Sequence, residues 1–169
     1  MRYETQNNVD PGNCWQTAVA CIFDLDPNEL PPQVELVEGK WKWVDRWQNH
    51  LNAFLHKHHG LQYRAIHETE ISGLLRIYGH HPYGVYLWEG ETVRTDVRRN
   101  EHVVVARGDK MIWDPHPSQA GLTKVKRWGI FCPPSPDTKE HWDKLINGGD
   151  KDLICRCATC AKEKSGDPT

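Results

Sequence analysis

The spacing of apolar and polar residues changes along this chain and divides it into a helical first half and a β-rich second half. The run Cys14-Trp15-Gln16-Thr17-Ala18-Val19-Ala20-Cys21-Ile22-Phe23 follows a Gly12-Asn13 turn. Its small and apolar residues predict a buried helix that ends near Asp24. Pro27, Pro31 and Pro32 then prevent a helix from continuing. Trp43, Val44, Trp47, Leu51, Phe54 and Leu55 recur at helical spacing. They predict a second helix over 41–58, capped by Gly60, with its tryptophans in the core against the first helix. His56, His58 and His59 fall in its last turn, where a cation complements the helix dipole. Leu61 to Ile66 predicts a short strand. A helix over 69–78 follows, with Thr69 as its cap.

From Gly84 onward the period is that of strands. Gly84 to Trp88 predicts one, and 89–101 a polar loop carrying Arg94, Arg98 and Arg99. Val103-Val104-Val105-Ala106 and Met111-Ile112-Trp113 flank a Gly108-Asp109 turn, which predicts a hairpin. Lys124 to Phe131 is a third β run, stopped by Pro133 and Pro134. Asp137 or Thr138 caps a last helix over 138–146. The expected class is α+β, with N-terminal helices packed on a C-terminal antiparallel sheet in one domain, 1–147. A polar, cysteine-containing tail, 148–169, follows and is expected to be disordered.

Composition narrows the function more than the fold. With 169 residues the chain can bury a substantial core. A net charge of -2 gives no strong attraction to nucleic acid or to an anionic membrane. No apolar run is long enough to span a bilayer, and Met1 to Thr5 has no apolar signal region. The expected compartment is the cytoplasm, with the six cysteines (14, 21, 132, 155, 157 and 160) as reduced thiols. Eight tryptophans suit either a padded core or an aromatic groove.

The candidate chemistry begins at Cys14. A thiol in the first turn of a helix feels the positive end of the dipole, which favours the nucleophilic thiolate. Cys21 reads as a small buried hydrophobe. His102 opens the first strand of the hairpin and Asp114 closes the second. A three-residue loop at 107–109 sets them opposite one another on one face. A two-residue loop sets them on opposite faces unless a bulge compensates. Together Cys14, His102 and Asp114 make a nucleophile, a base and an orienting acid. Gln6 either supplies an oxyanion donor beside the Cys14 backbone N–H or is a solvated polar residue. Asn8 and Asn13 are weaker candidates for the same role. His116 lies two residues past Asp114 and shares its face on a continuous strand. It contacts substrate or replaces His102 as the base, and Trp15 and Asn13 are grouped with it as substrate-binding residues. Cys155, Cys157 and Cys160 have ligand-like spacing for zinc, with Cys132 or His141 as a fourth donor. The other reading is a reduced tail and no cofactor.

Cys14-Trp15 resembles the Cys-Trp pair that opens the central helix of the papain-like cysteine peptidases. Gln6, His102 and Asp114 fall in that family's order. Gly12-Asn13-Cys14-Trp15-Gln16-Thr17-Ala18, His102-Val103-Val104-Val105 and Trp113-Asp114-Pro115-His116-Pro117-Ser118 through Gly121-Leu122 resemble small phage and bacterial members, over roughly residues 6–122. The gap from Gln6 to Cys14 is longer than in papain, and Asp114 stands where that family commonly has Asn. The resemblance implies a papain-like fold and a thiol-dependent hydrolase of peptide, isopeptide or amide bonds. Its partner is a peptide or protein substrate, not nucleic acid or membrane. The rival expectations are a non-catalytic member that captures a host factor and an acyl transferase of transglutaminase-like type.

Overall fold

Ala18, Val19, Ala20 and Cys21 have no exposed surface. They lie in α1 (Cys14–Phe23), and their run of small and apolar side chains lets the helix sit inside the molecule. In the computed structural model of the chain, residues 1, 3–7, 12–67, 69–70, 84–93 and 101–147 are described. The helix ends where Asp24 takes a left-handed conformation at φ 61 and its N–H donates to Ala20 O. The expected boundary is therefore observed. Asp26 and Glu29 then form a reciprocal capping box around a short 3-10 turn.

A two-stranded hairpin follows, β1 (Val34–Val37) and β2 (Lys40–Trp43). The helix α2 begins only at Trp47 and runs to His59. The helical reading of 41–46 is thus corrected. Glu38 and Gly39 both take positive φ, 52 and 75, the twist that closes a tight hairpin. Leu36 pairs with Trp41 and Val34 with Trp43, so alternation puts these four on one face. Trp41 and Trp43 are 49% and 57% exposed and do not join the core. Trp47 does, and its Nε1 donates to Pro31 O at 2.9 Å. Gly60 at φ 64 caps α2 as expected.

The larger sheet has five strands: β3 (Gln62–His67), β4 (Tyr86–Glu91), β5 (Glu101–Arg107), β6 (Lys110–Trp113) and β7 (Lys124–Cys132). Their order is β3-β7-β4-β5-β6, and every neighbouring pair is antiparallel. The class is α+β. β4 runs on to Glu91, beyond the predicted end at Trp88, because Glu89, Gly90 and Glu91 pair with both β5 and β7. The last helix, α3 (Pro136–Asn147), starts before the expected position. Proline fits the first helical turn, and Ser135 Oγ accepts the Thr138 N–H at 3.3 Å. Most of the predicted helix over 69–78, the Arg94, Arg98 and Arg99 loop and the tail from 148 lie outside the described residues.

One buried cluster joins Ala18, Val19, Leu51, Phe54 and Leu55 of the helices to Leu87, Val103 and Val105 of the sheet. Each of these Val, Leu and Phe side chains contributes about 1.5–3 kcal/mol by leaving water. A smaller cluster gathers Ile66, Tyr86, Ala106 and Ile130, with Tyr86 stacked on Trp128 at 4.9 Å between centroids. Val103 and Val105 on one side and Ala106 on the other show the two-residue alternation of β5. Among the described residues, no helix is long and apolar enough to cross a membrane.

Candidate active site

The β5–β6 hairpin decides where His102 and Asp114 meet. Arg107 pairs with Lys110 across a two-residue loop, Gly108-Asp109, and Ala106 pairs with Met111. Val105 then pairs with Trp113, so Ile112 is the extra residue of a bulge. The loop is therefore shorter than the three residues that would set the pair directly opposite. The bulge restores the parity that the shorter loop takes away. The strand β6 ends at Trp113, and the parity set by the bulge puts Asp114, the next residue, on the side of β5 that carries His102. Asp114 then reaches His102 diagonally on a shared face.

His102 Nε2 lies 2.6 Å from Asp114 Oδ1, and the two side chains are 0% and 1% exposed. Asp114 Oδ1 also accepts the His116 N–H at 2.8 Å, and Oδ2 accepts the Gly121 N–H at 2.8 Å. Burial works against the Asp114 charge. The His102 hydrogen bond and charge and the two amides outweigh it, and the carboxyl lies below its ordinary value. An ionised Asp114 can only accept, so the hydrogen between them belongs to His102 Nε2. Neutral His102 then keeps its lone pair on Nδ1, a buried atom with no hydrogen-bond partner among the described residues.

Cys14 is the first residue of α1 and is half-buried against the main cluster. The helix start is braced from outside. Gln33 Oε1 accepts the Gln16 N–H at 3.0 Å, and Gln16 Oε1 accepts the Gln33 N–H at 3.1 Å. This satisfies one of the amides that a helix leaves unbonded in its first turn. Asn13, just before the sulfur, is buried and donates from Nδ2 to Asn7 Oδ1 at 2.8 Å. Gln6, next to Asn7, is also buried, and its N–H donates to Pro115 O at 2.7 Å. Pro115 stands between Asp114 and His116. The opening of α1, the segment 6–7 and the end of β6 are thus tied together at one end of the fold. Gln6, His102, Asp114 and His116 are brought together there. Asn13, the residue before Cys14, is tied to this end through Asn7, and the Cys14 sulfur makes no hydrogen bond to His102 Nδ1.

His116 is buried, with its ring centroid 6.0 Å from that of His102 and the planes nearly perpendicular. Its Nδ1 lies 2.7 Å from Ser118 Oγ and accepts the Ser118 N–H at 3.0 Å. Trp15 packs edge-on to Trp47 at 5.7 Å and tilted against Tyr63 at 5.2 Å. Cys21 is fully buried, and its thiol accepts the Glu4 N–H at 3.4 Å. Burial raises its pKa, which keeps it a thiol.

A carboxylate that the sequence placed in a polar loop is also buried. Glu89 is 2% exposed in the centre of β4, where Tyr63 donates its hydroxyl to Oε1 and Arg127 Nε lies 3.2 Å from Oε2. Burial raises the Glu89 pKa, against the lowering effects of Tyr63 and Arg127. Gly129 makes room for this group, since a Cβ there would stand 2.6 Å from Tyr63 Cε2. A lone Glu at the end of an apolar run carries no signal for such burial.

Among the described residues, no group of three or more His, Cys, Asp or Glu side chains is arranged to hold a metal ion. Cys155, Cys157 and Cys160 lie outside the described residues, so the zinc expectation lies there too. No family model, curated protein or solved structure matches this chain.

Proposed function

We propose that the protein is a thiol-dependent hydrolase of peptide, isopeptide or amide bonds with a papain-like arrangement of helices and sheet. Cys14 is the nucleophile, His102 the base, Asp114 the residue that orients it, and Gln6 an oxyanion donor. The observation that carries this reading is the buried His102–Asp114 pair, 2.6 Å apart, whose geometry leaves Nδ1 as the basic nitrogen. A base held in one tautomer by a carboxylate is what proton transfer from a nucleophile requires. Its place at the end of the fold where α1 opens supports Cys14 as the group it serves. Hydrogen bonds of this kind are often long before substrate binds and tighten on the reaction path.

In the reaction His102 Nδ1 takes the thiol proton. The sulfur then forms a bond to the substrate carbonyl carbon, and the π pair moves to oxygen. The leaving amine departs with the proton from His102, and water repeats the sequence to release the acid. Cys14→Ser should abolish hydrolysis of a mixed peptide library while Cys21→Ser retains it. A Cys14→Ser protein with full hydrolytic activity ends the proposal.

A second reading is a binding module, favoured by the β1–β2 hairpin. Leu36, Trp41 and Trp43 share one face and are 60%, 49% and 57% exposed. Exposed tryptophans of this kind are common anchors at protein interfaces. Capture of a protein partner that is unchanged by Cys14→Ala would favour this reading.

A further inference from the structure

We propose that His116 is a fixed hydrogen-bond donor to the oxyanion, through Nε2, and not a second base. This rests on the reading of Cys14 as a nucleophile. The run Pro115-His116-Pro117-Ser118 has two amide hydrogens, because proline has none. Both are used to fix the His116 ring. The His116 N–H donates to Asp114 Oδ1 at 2.8 Å, and the Ser118 N–H donates to His116 Nδ1 at 3.0 Å. A turn bond from the Gln119 N–H to His116 O at 3.0 Å closes the loop behind it.

A backbone amide can only donate, so His116 Nδ1 must present a lone pair to Ser118. Ser118 Oγ, 2.7 Å from the same nitrogen, can turn its hydrogen to suit that lone pair. An Nδ1–H would point a hydrogen at the Ser118 amide hydrogen. In the neutral ring the single hydrogen therefore sits on Nε2. His102 and His116 are two imidazoles with opposite assignments. Asp114 draws the hydrogen of His102 to the nitrogen facing the carboxylate and leaves Nδ1 basic. Ser118 occupies the basic nitrogen of His116 and leaves Nε2–H as a donor.

The two rings are 6.0 Å apart and nearly perpendicular, and the Gln6 backbone N–H donates to the carbonyl of Pro115, the residue just before His116. When the Cys14 sulfur bonds to a carbonyl carbon, the displaced π pair on oxygen needs donors that are already oriented. His116 Nε2–H supplies one beside Gln6, in a buried setting where such a bond is strong. A neutral imidazole is competent as an electrophile of this kind. When the tetrahedral species collapses, the C–O π bond re-forms and the bond to the leaving group breaks. His116 transfers no proton at either stage.

Two reagents separate this role from the others. p-Nitrophenyl acetate acylates a thiolate through an oxyanion, and its leaving group needs no proton. Iodoacetamide alkylates the same sulfur by displacement at carbon, with no oxyanion. Rates at Cys14 in the full chain are measured with both for wild type, His116→Phe and His116→Gln. His116→Phe should lower acylation by about 10²–10³-fold and leave alkylation at the wild-type rate. His116→Gln, which keeps a donor near the Nε2 position, should recover part of the acylation rate. If His116→Phe does not fold, His116→Gln and His116→Asn give the same comparison, with Asn lacking a donor at that reach. An equal loss in both reactions, or no loss in acylation, overturns the donor role while leaving the Cys14 reading intact. A wild-type Cys14 that reacts with neither reagent faster than Cys21 overturns both. Nitrogen-15 spectra should show Nε2 of His116 protonated and Nδ1 bare, and the reverse pattern overturns the assignment.

Discussion

The Gly121 N–H donates to Oδ2 of Asp114 at 2.8 Å, so the oxygen not bonded to His102 holds the loop that follows β6. One carboxylate thereby accepts from a side chain and two amides on separate parts of the chain. Asp114→Asn replaces one of its two oxygens with an NH2 donor. That group must face the Gly121 N–H, or the His102 and His116 hydrogens. The variant should lose about 1–3 kcal/mol of stability through the buried unsatisfied group. Urea unfolding measures this, and an unchanged midpoint would contradict the acceptor role.

The same carboxylate gives an acid-side prediction. Its folded pKa lies below its ordinary value, so the unfolded chain binds the proton first as pH falls. Its stabilising contribution is complete above the ordinary Asp value of about 3.9 and is lost as pH falls through the folded value. Asp114→Ala should therefore flatten stability against pH on the acid side. Unfolding midpoints at a series of pH values below about 5 check this, and an unaltered acid limb would count against it.

Glu89 has the opposite sign. Burial raises its folded pKa, so the native state keeps a proton that the unfolded chain has released. Stability should fall as pH rises from the ordinary Glu value of about 4.3 to the raised folded value. Glu89→Gln keeps the shape, removes the titration and should abolish that slope. A variant with the wild-type slope in this window would show that another group causes it.

Gly129→Ala tests the cavity that holds Tyr63 over β7. The added Cβ would lie 2.6 Å from Tyr63 Cε2 and 3.1 Å from Leu87 Cβ. Overpacking of this kind costs about 1–3 kcal/mol. The tyrosine must also move from Glu89, its hydrogen-bond partner. A lowered melting temperature is expected, with the pH dependence assigned to Glu89 reaching to higher pH, because the Tyr63 hydrogen bond that holds its pKa down is weakened. A melting temperature equal to wild type would mean that the sheet absorbs the methyl group.

The sequence made α1 legible because Gly12, the apolar run and the prolines after it agree on one element. The β5–β6 hairpin was legible for a similar reason, since β-branched residues flank Gly108-Asp109. The register was not. A strand pattern does not show that Ile112 bulges, and the face of Asp114 depends on that bulge. The β1–β2 hairpin was lost to a helical reading because Trp43, Val44 and Trp47 fit a helical period by coincidence. The competing signal was Glu38-Gly39 between alternating residues, and tight-turn chemistry outweighed periodicity there. Candidate residues at the site could be named from type and order. The hydrogen assignment of His116 could not, because it depends on the direction of the Ser118 amide.

The central claim is that Cys14 is activated and that His102 is what activates it. Each cysteine's alkylation rate by iodoacetamide, followed by peptide mass spectrometry across pH, tests it most directly. Cys14 should react far faster than the buried Cys21 near neutral pH, and His102→Ala should move its reactivity to higher pH. A Cys14 that labels as slowly as Cys21, or that is indifferent to His102→Ala, would contradict the account.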